Sequence, residues 1–482
     1  MITKSDYIRY LQCSKLAWLN KKRPDLISQE IKDSFADIME EGYEVEDYSY
    51  KLFPKGIVAK NKADTESLMK EGKTIFQPTI ISDELYCRAD IIDYDEKNKA
   101  WDIYEVKSST QVKKIHEHDL SFQRLCLEEA GHKVGKLNLV HVNNKYVREG
   151  EIDVNQLFEI EDITSDVDKL NQQVKEGVAI LLEVFKKKEE PDVRPVKQCN
   201  NPYECMFKDY CLRDLPEKSI YSIIGKLSEK TMNYLLDNDI VEIEKIPSEL
   251  IPDSFVKHFN VIKSNELFID KAGIKKELEQ IKYPIYFLDY ETYGSAIPVF
   301  DGYKPYQNIV FQYSLHIQES ADSELKHFEF LSNKDGDPTR EMAESLRKLI
   351  GEKGTPIAWN MGFEQDCNEG MAERDNEFKD FFKNVNDRMY DLMSIFKKEL
   401  YIHKDFYGSA SLKKVLPVVV PSLSYKELGI QEGMSASNSW CEMIKPETSE
   451  QRKKEIYNDL LEYCELDTLA MVEILKELRR VV

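Results

Sequence analysis

Residues 284–294 read PIYFLDYETYG and predict the buried strand around which the C-terminal part of the chain is built. The apolar run Ile285–Leu288 follows a proline, and Gly294 ends the segment, as expected of a core strand. Asp289 and Glu291 lie two residues apart near its end. Because side chains at i and i+2 of a strand point to one face, we expect both carboxylates in one small volume. Two such anions repel each other unless a cation lies between them, so the segment indicates a divalent metal site, with a solvated turn as the alternative.

Two more acidic motifs follow in the same part of the chain. Glu364 comes after N-x-x-F at a predicted strand-to-helix transition, and Asp366 is an alternative ligand there. Tyr463 and Asp467 are four residues apart on the predicted C-terminal helix and therefore share one of its faces. Asp391 is predicted to open a further helix. The chain thus carries D-x-E on a strand, an acid after N-x-x-F, and Y-x3-D on the last helix.

This order of motifs resembles the DEDD exonucleases of the ribonuclease H-like fold (DnaQ-like), in the subclass whose last motif carries a tyrosine. The resemblance implies that two divalent ions, Mg²⁺ or Mn²⁺, are bound by Asp289, Glu291, Glu364 and Asp467. It also implies that Tyr463 positions or deprotonates the attacking water. Glu364 stands where the family usually has aspartate, which moves the carboxylate about one methylene further out.

A second segment of this region, residues 408–433 (GSASLKKVLPVVVPSLSYKELGIQEG), resembles a bacterial domain family of unassigned function that follows RecB-like domains. Lys413 and Lys414 of this segment could contact phosphate. A helix start capped by a neighbouring serine is the simpler interpretation of the same residues.

The N-terminal part of the chain carries its own candidate site on a predicted strand hairpin. Asp90 lies in CRADIIDY, and Glu105 and Lys107 lie in IYEVKSS, where they share one face of a strand. Asp90 and Glu105 could supply the oxygen ligands that a divalent cation requires. Lys107 could orient the attacking water and offset negative charge on phosphate. A surface hairpin with a Glu–Lys pair is the alternative.

This hairpin resembles the RecB-like branch of the PD-(D/E)xK nucleases, particularly the CRISPR-associated RecB-like exonucleases. Gln123, in the helix DLSFQRLCLEEAGHKVG, matches the family's glutamine, whereas Leu127 replaces its usual tyrosine. The family also has an early metal ligand after a glycine. Residues Glu44, Glu46 and Asp47 follow Gly42 here, and the spacing favours Glu46.

Four cysteines support the same resemblance. Cys199, Cys205 and Cys211 form C-x5-C-x5-C, and Cys13 lies on a helix predicted over Ser5–Asn20. RecB-like exonucleases with an iron–sulfur cluster show the same division into one early and three late cysteines. Four thiolates suit a [4Fe–4S] cluster or a tetrahedral zinc, and the wide spacing favours the cluster. Free thiols are a further alternative, and Cys87 and Cys126 are predicted as core residues.

Composition bounds the class of protein. The 482 residues are 41% hydrophobic and 32% charged, with a formal net charge of -21. That charge excludes a basic nucleic-acid coat protein but not a nuclease, whose basic groove is local. The N-terminus has no apolar signal region and no run reaches membrane-spanning length, so we expect a cytoplasmic protein with no membrane partner. In that compartment the nine cysteines are expected as thiols or metal ligands.

Together these features predict an α/β protein of three parts. Residues 1–215 form a restriction-endonuclease-like (PD-(D/E)xK) domain with the cysteine cluster, residues 216–280 a small helical connector, and residues 281–482 a ribonuclease H-like (DnaQ/DEDD) domain. The predicted function is that of a metal-dependent DNA exonuclease, with single-stranded DNA as the expected partner, in DNA processing, repair or defence against mobile elements. The alternative is a non-catalytic nucleic-acid-binding or scaffold protein in which one or both sites have decayed.

Overall fold

The computed structural model describes residues 1–216, 218–334, 336–426 and 428–482, with the backbone alone at residues 30 and 33–38. The described chain is mixed α/β and divides into two compact units. Unit 1 comprises Met1–Asp214 and Ser295–Gln307, and unit 2 comprises Leu215–Gly294 and Asn308–Val482. The first segment of unit 1 ends beside the predicted boundary at residue 215, but unit 1 also takes in Ser295–Gln307, which lies within the predicted third part, 281–482. The predicted connector, 216–280, falls within unit 2, where apolar residues such as Ile220, Leu235 and Phe259 form a cluster of their own.

The strands are β1 (Ile2–Thr3), β2 (Ile57–Val58), β3 (Ile75–Phe76), β4 (Thr79–Ile81), β5 (Leu85–Arg88), β6 (Ile91–Asp95), β7 (Ala100–Lys107), β8 (Val134–Val142), β9 (Phe158–Asp162), β10 (Phe268–Ile269), β11 (Ile285–Tyr293), β12 (Ile309–Gln318), β13 (Lys326–Leu331), β14 (Thr355–Ala358), β15 (Tyr390–Asp391) and β16 (Tyr401–Ile402).

The α-helices are α1 (Lys4–Gln12), α2 (Ser14–Lys22), α3 (Gln29–Tyr50), α4 (Lys62–Lys70), α5 (Lys114–Glu129), α6 (Val154–Leu157), α7 (Thr164–Asp168), α8 (Asn171–Lys186), α9 (Lys208–Leu212), α10 (Glu229–Asp237), α11 (Val256–Ser264), α12 (Lys271–Leu278), α13 (Thr339–Leu349), α14 (Met361–Arg374), α15 (Lys379–Arg388), α16 (Ser394–Lys397), α17 (Leu412–Val419), α18 (Gly433–Ile444) and α19 (Glu450–Val481). Among the described residues, none of these helices is long and apolar enough to cross a membrane.

The main sheet of unit 1 has the strand order β2-β3-β6-β7-β8-β9. β6 and β7 form an antiparallel hairpin in which Ile91 is opposite Tyr104. Asp90 immediately precedes β6, so continuing this register places it beside Glu105. β7 and β8 are parallel, and α5 makes the crossover between them, as parallel neighbours require.

The helix predicted over Ser5–Asn20 is wrong in one respect, because it is two helices interrupted at Cys13. Cys13 has extended backbone angles, φ −165° and ψ 127°, and its N–H donates to the Arg9 carbonyl where α1 ends. α2 then begins at Ser14. The extended residue cannot continue the helical hydrogen-bond pattern, so Cys13 is a junction residue and not a helix-interior residue.

The sheet of unit 2 has the strand order β13-β12-β11-β14-β15. β12 is antiparallel to β11 and β13, whereas β11, β14 and β15 are parallel. The alternating segments IVFQYSLHIQ and KHFEFL predict antiparallel strands at Ile309–Gln318 and Lys326–Leu331, and the structure confirms both with those bounds. The chain runs from β11 to β12 on one side of the sheet and from β14 to β15 on the other side, so a topological switch point lies between β11 and β14. In open α/β sheets the carboxyl ends of strands at such a point form the usual binding crevice.

Strand periodicity decides which face of β11 carries the acids. Tyr286, Leu288 and Tyr290 belong to the apolar cluster made with α13, α14 and α15. Ile285 and Phe287 belong instead to the cluster that contains residues of α19. Because alternate side chains share a face, Asp289 and Glu291 continue the α19 side of the strand.

Asp391 does not open a helix, so that prediction is wrong. It ends β15, and α16 begins three residues later at Ser394. The Oδ1 atom of Asp391 accepts hydrogen bonds from the N–H groups of Asn360, at 3.0 Å, and Met393, at 3.1 Å. The carboxylate thereby ties the end of β15 to the start of α14, and its backbone stays extended.

Candidate functional site

The D-x-E motif of β11 lies in a small acidic cluster in unit 2. Glu291 is buried and Asp289 half-buried, and a β-bulge follows Glu291. Bulges often occur next to active sites, where they change the direction of a side chain. Cys464 joins the two acids from α19, with its Sγ 3.7 Å from Oδ2 of Asp289. One candidate ligand atom from each of these three residues lies within 4.8 Å of the other two.

The Y-x3-D motif faces this cluster from α19. Tyr463 and Asp467 are one turn apart and both are buried. Gln312 of β12 donates from Nε2 to the carbonyl of Leu460 at 2.7 Å, which fixes the helix against the sheet. Gln312 is directly opposite Glu291 in the β11–β12 register. The last helix therefore delivers Asp467 to the same face of the sheet as the first motif.

Glu364 completes the set of acids. Asn360 caps α14 in a left-handed conformation, φ 75°, at the carboxyl end of β14, and Glu364 lies in the first turn. Its side chain is buried, and Oε2 has no hydrogen-bond partner among the residues that the structure describes. Asp366, the alternative ligand, is exposed. The geometry therefore favours Glu364 at this position.

Electrostatics show how unfavourable this cluster is without a cation. Burial raises the pKa of Asp289 well above its ordinary range, and the charges of Asp467 and Glu291 raise it further. The pKa of Glu291 is raised by burial and by Asp467. Burial, followed by the charges of Asp391 and Asp467, raises the pKa of Glu364 to about 8. The pKa of Asp467 rises to about 6 through burial. The cluster therefore holds protons at neutral pH or needs other positive charge.

Two residues of the 408–433 segment lie at this cluster. Tyr425 donates a short hydrogen bond from its hydroxyl to Oδ1 of Asp467. Lys413 lies with Nζ 6.0 Å from the ring centroids of Tyr425 and Tyr463, and its charge lowers the pKa of Glu291 and Asp467. Its Nζ also donates to the carbonyl of Gln431 at 2.6 Å. The positively charged side chain of Lys413 therefore lies near the acidic cluster and offsets part of its negative charge.

The predicted residues of unit 1 also come together. The N–H of Val106 donates to Oδ2 of Asp90 at 2.7 Å. Lys107 donates a short hydrogen bond to Oε1 of Glu105. Gln123 of α5 donates from Nε2 to Oε2 of Glu105 at 2.6 Å. Glu105 and Gln123 are fully buried, so the strand β7 and the helix α5 hold the network from two sides.

Lys4 and Asp119 complete this network, and sequence reasoning missed both. Lys4 donates to Oε1 of Glu105 at 2.7 Å. Lys107 donates to Oδ2 of Asp119 at 2.9 Å, and Gln123 donates to its Oδ1 at 2.9 Å. Asp119 precedes Gln123 by four residues on α5, so helical spacing could have identified it. Lys4 has no such signal, because it lies 101 residues from Glu105 in the chain.

The two carboxylates of this site have opposite pKa shifts. Burial raises the pKa of Asp90 well above its ordinary range, and the neighbouring charge of Glu105 adds to the rise. Burial acts in the same direction on Glu105, but Lys107 and Lys4 hold its pKa well below the ordinary value. The pKa of Lys107 is raised by Asp119 and Glu105 against the effect of burial. Glu105 is therefore ionised at neutral pH beside a charged Lys107.

The structure distinguishes among the three acids that follow Gly42. Glu46 is buried, whereas Glu44 and Asp47 are exposed. Tyr50 donates to Oε1 of Glu46 at 2.5 Å, and Gln77 makes a short hydrogen bond to the same atom. The charge of Glu46 also raises the pKa of Asp90. Burial thus favours the predicted choice of Glu46 as the residue nearest this site.

The four predicted cysteines line one pocket in unit 1. Cys13, Cys199, Cys205 and Cys211 share it with Leu16 and Phe207, among other residues. Burial raises the pKa of the Cys205 thiol to about 12, and those of Cys199 and Cys211 are also raised. Around one tetrahedral zinc with Zn–S bonds of about 2.3 Å, the sulfur atoms lie about 3.8 Å apart. In the described chain, no three of these sulfur atoms belong to a ligand group with all members within 4.8 Å. The structure therefore brings the four predicted thiols to one pocket.

The other cysteines divide into core residues and one site residue. Cys87 and Cys126 are fully buried, so their prediction as core residues is confirmed. Cys464, which shows no ligand spacing in the sequence, lies against Asp289. Its position directly after Tyr463 in the sequence is the feature that could have indicated that it lies near the site.

The chain is similar to proteins whose functions have not been assigned. A family described as a domain of unknown function (DUF2779) matches residues 286–411. The "Uncharacterized protein MG366 homolog" of Mycoplasma pneumoniae is 24% identical over 316 residues, 57% of this chain and 47% of the relative. The "Uncharacterized protein MG366" of Mycoplasma genitalium is 24% identical over 310 residues, which are 56% of this chain and 46% of the relative. The chain spans about half the length of the curated relatives that it matches.

Proposed function

We propose that this chain is a two-site, metal-dependent nuclease that hydrolyses phosphodiester bonds in single-stranded DNA. Unit 1 would be a RecB-like PD-(D/E)xK domain, and unit 2 a DnaQ-like domain of the ribonuclease H-like fold. The observation that carries the proposal is the convergence of four acids, Asp289, Glu291, Glu364 and Asp467, at the switch point of the unit 2 sheet. A role in DNA processing, repair or defence against mobile elements follows from the resemblance.

The donor set of unit 2 fits divalent cations. Carboxylate oxygens are the ligands that Mg²⁺ and Mn²⁺ prefer, and the buried Oε2 of Glu364 has no other partner in the described chain. The four acids Asp289, Glu291, Glu364 and Asp467 would hold the ions. Such ions lower the pKa of bound water and offset the charge that develops on a phosphodiester.

The side chains around these acids would act by position and charge. Burial and the charge of Asp467 raise the pKa of Tyr463 far above neutral, so its hydroxyl keeps its proton. Tyr463 would therefore position the attacking water as a hydrogen-bond donor, and bound cations would favour its second role, as a base, by offsetting the charge of the acids. The charge of Lys413 lowers the pKa of Glu291, and the same charge would attract the phosphate backbone.

In unit 1, the acids Asp90, Glu105 and Glu46 would hold a cation of the same class. Lys107 is charged and half-buried, so it would orient water and stabilise negative charge on phosphate. Gln123 would position Glu105, because it donates to that carboxylate and to Asp119.

The cysteine pocket would hold a [4Fe–4S] cluster with zinc as the alternative occupant. Four thiols from residues 13 and 199–211 line it, and their wide spacing in the sequence favours the cluster. A cluster there would join the two ends of the domain. Nothing in the proposed hydrolysis requires electron transfer, so its expected role is structural.

A second candidate is a non-catalytic nucleic-acid-binding protein. The observation that favours it is that Glu105 already accepts hydrogen bonds from Lys4, Lys107 and Gln123. In that case Lys4 would take the place of a cation at the first site. Such a protein would bind single strands without cutting them.

The test is cleavage of end-labelled single-stranded DNA in the presence of Mn²⁺ by the full chain, Asp90→Asn, Asp289→Asn and the double variant. We expect each single variant to lose one activity and the double variant to lose both, by at least about 100-fold. Undiminished cleavage by the double variant would overturn the proposal. Tight binding without cleavage by the wild type would favour the second candidate.

A further inference from the structure

Two histidines in unit 2 lie outside the chemistry proposed above. His316 of β12 and His327 of β13 are directly opposite each other in the antiparallel register. Their rings are stacked, with centroids 4.4 Å apart and planes at 26°. Glu465 of α19 reaches the pair, with Oε1 3.6 Å from Nδ1 of His327. One candidate ligand atom from each of the three residues lies within 4.8 Å of the other two.

A chain of hydrogen bonds admits a proton arrangement that leaves one nitrogen of each ring free to bind a metal ion. In that arrangement the Thr468 hydroxyl donates to the Glu465 carbonyl at 3.1 Å, and the Ser314 hydroxyl donates to Thr468 at 2.7 Å. The hydroxyl protons of Thr468 and Ser314 are then both donated, so each of these oxygen atoms accepts a hydrogen bond from a histidine ring. Nδ1 of His316 donates to Thr468 at 2.8 Å, and Nε2 of His327 donates to Ser314 at 3.0 Å. The opposite nitrogens, Nε2 of His316 and Nδ1 of His327, therefore carry free lone pairs.

His316 is the most buried of the three residues. The residue is only 3% exposed, and its Nε2 makes no hydrogen bond to any residue that the structure describes. Metal-binding histidines normally donate their other N–H to an oxygen, which fixes the tautomer and the ring orientation. Both rings already have that arrangement.

We propose that His316, His327 and Glu465 form a binding site for a first-row transition-metal ion, with zinc as the reference ion. Two imidazoles and one carboxylate are donors that zinc accepts readily, whereas Mg²⁺ prefers oxygen alone. Three protein ligands leave a fourth position for water. The side chains of His327 and Glu465 are 23% and 46% exposed, which gives the ion a path from solvent.

The consequence concerns the position of α19. Glu465 lies between Tyr463 and Asp467, and the two histidines belong to the β12–β13 hairpin. A metal ion bound to all three would tie the last helix to the sheet beside the acidic cluster. The inference does not depend on the proposed nuclease activity, because none of its ligands belongs to that cluster.

The experiment measures zinc binding to the full chain after removal of metal with a chelator. Zinc is titrated in competition with a chromophoric chelator, and the wild type is compared with Glu465→Gln, His327→Gln and the control His403→Gln. His403 is a half-buried histidine beside another acid, Asp405, in the same unit. We expect the wild type and the control to bind one more zinc than the two site variants, whose affinity at this site falls at least about 100-fold.

Two further variants separate this site from the others. Ser314→Ala removes the hydroxyl that accepts from His327 and should weaken zinc binding by about 10- to 100-fold without removing a ligand. Asp289→Asn, in the acidic cluster, should leave the extra zinc in place. Because Glu465 is partly exposed, its variant is expected to keep the fold, which circular dichroism checks. Equal zinc stoichiometry and affinity in the wild type and folded Glu465→Gln would overturn the proposal.

Discussion

Tyr425 donates its hydroxyl proton to Oδ1 of Asp467, and this hydrogen bond lowers the pKa of a carboxyl group that burial would otherwise raise further. Tyr463, one turn before Asp467 on α19, lies with its ring centroid 6.1 Å from that of Tyr425. The two tyrosines thus lie near one acid, and Tyr425 is hydrogen-bonded to it. Substituting each tyrosine in turn therefore distinguishes an effect on the pKa of Asp467, a proposed metal ligand, from an effect on the position of the attacking water.

Tyr425→Phe is expected to move the acid limb of the pH–rate profile upward. Without the hydroxyl, the pKa of Asp467 rises above its present value of about 6, so a cation competes with a proton over a wider range. Mn²⁺ affinity should fall about tenfold near pH 6 and stay close to wild type near pH 8.5, as measured by metal titration of the cleavage rate. Tyr463→Phe should instead lower the maximal rate by about 10- to 100-fold at all pH values. Identical profiles for the two variants would contradict this distinction.

Lys4→Met should destabilise metal-free unit 1. The lysine donates to Glu105 and lies 3.4 Å from Asp119, so its removal leaves a buried carboxylate with less positive charge. We expect the free energy of unfolding to fall by about 2 kcal/mol, and Mn²⁺ to restore part of it. Urea denaturation with and without Mn²⁺ measures both effects. The control Lys62→Met removes an exposed lysine at an i,i+4 pair and should change stability by less than about 0.5 kcal/mol. A loss no larger than that of the control would show that Lys4 does not support Glu105.

The cysteine pocket predicts the metal content of the chain. Purified without oxygen, the protein should be brown and contain about four irons per chain, and Cys199→Ser or Cys211→Ser should lose the iron and lower the Tm. Cys441→Ser is the control, because that thiol contacts Tyr293 in unit 2 instead. Iron and zinc analysis with visible absorption measures the result. One zinc and no iron would contradict the cluster, and metal-free protein would contradict both occupants.

The raised carboxyl pKa values predict how stability depends on pH in the absence of divalent cations. Glu364 titrates near 8 in the folded chain and near its ordinary value of 4.5 when unfolded. Between these values the folded state binds more protons than the unfolded state, so the free energy of unfolding falls as pH rises. We expect a loss of roughly 2–5 kcal/mol from pH 5 to pH 8, measured by denaturation at each pH.

A pair of variants tests whether Glu364 causes this dependence of the free energy of unfolding on pH. Glu364→Gln should flatten it, and Mg²⁺ or Mn²⁺ should stabilise the wild type more at pH 8 than at pH 5, because the ionised acids bind the cation. Asp366→Asn, at the exposed acid two residues away, should leave the slope unchanged. A stability that rises with pH over this range would contradict the account of the cluster.

Local patterns explain which parts of this fold could be predicted. β11, β12 and β13 follow from apolar runs and alternation, and the Y-x3-D spacing follows from the period of a helix. The same periodicities place Asp289 beside Glu291 and Tyr463 above Asp467. Spacing within one element therefore identified most of the acids before the elements were assembled.

The residues that were missed depend on packing between distant elements. Lys4 and Tyr425 each reach an acid that belongs to another element, and Cys464 lies next to Asp289 only because α19 crosses β11. The hydrogen bond from the Asn360 N–H to Asp391 likewise joins two distant elements, and such contacts override helix propensity. Sequence periodicity contains no information on those contacts.

The most direct test of the central claim compares Asp289→Asn with Asp366→Asn, both in an Asp90→Asn background that removes the first site. The rate to measure is release of the terminal nucleotide from 3′-labelled single-stranded DNA with Mn²⁺. We predict that Asp366→Asn retains the rate of its background, whereas Asp289→Asn lowers it at least about 100-fold while the fold is kept. Equal rates for the two variants, or no Mn²⁺-dependent release by the background protein, would contradict a catalytic metal site at the acidic cluster of unit 2.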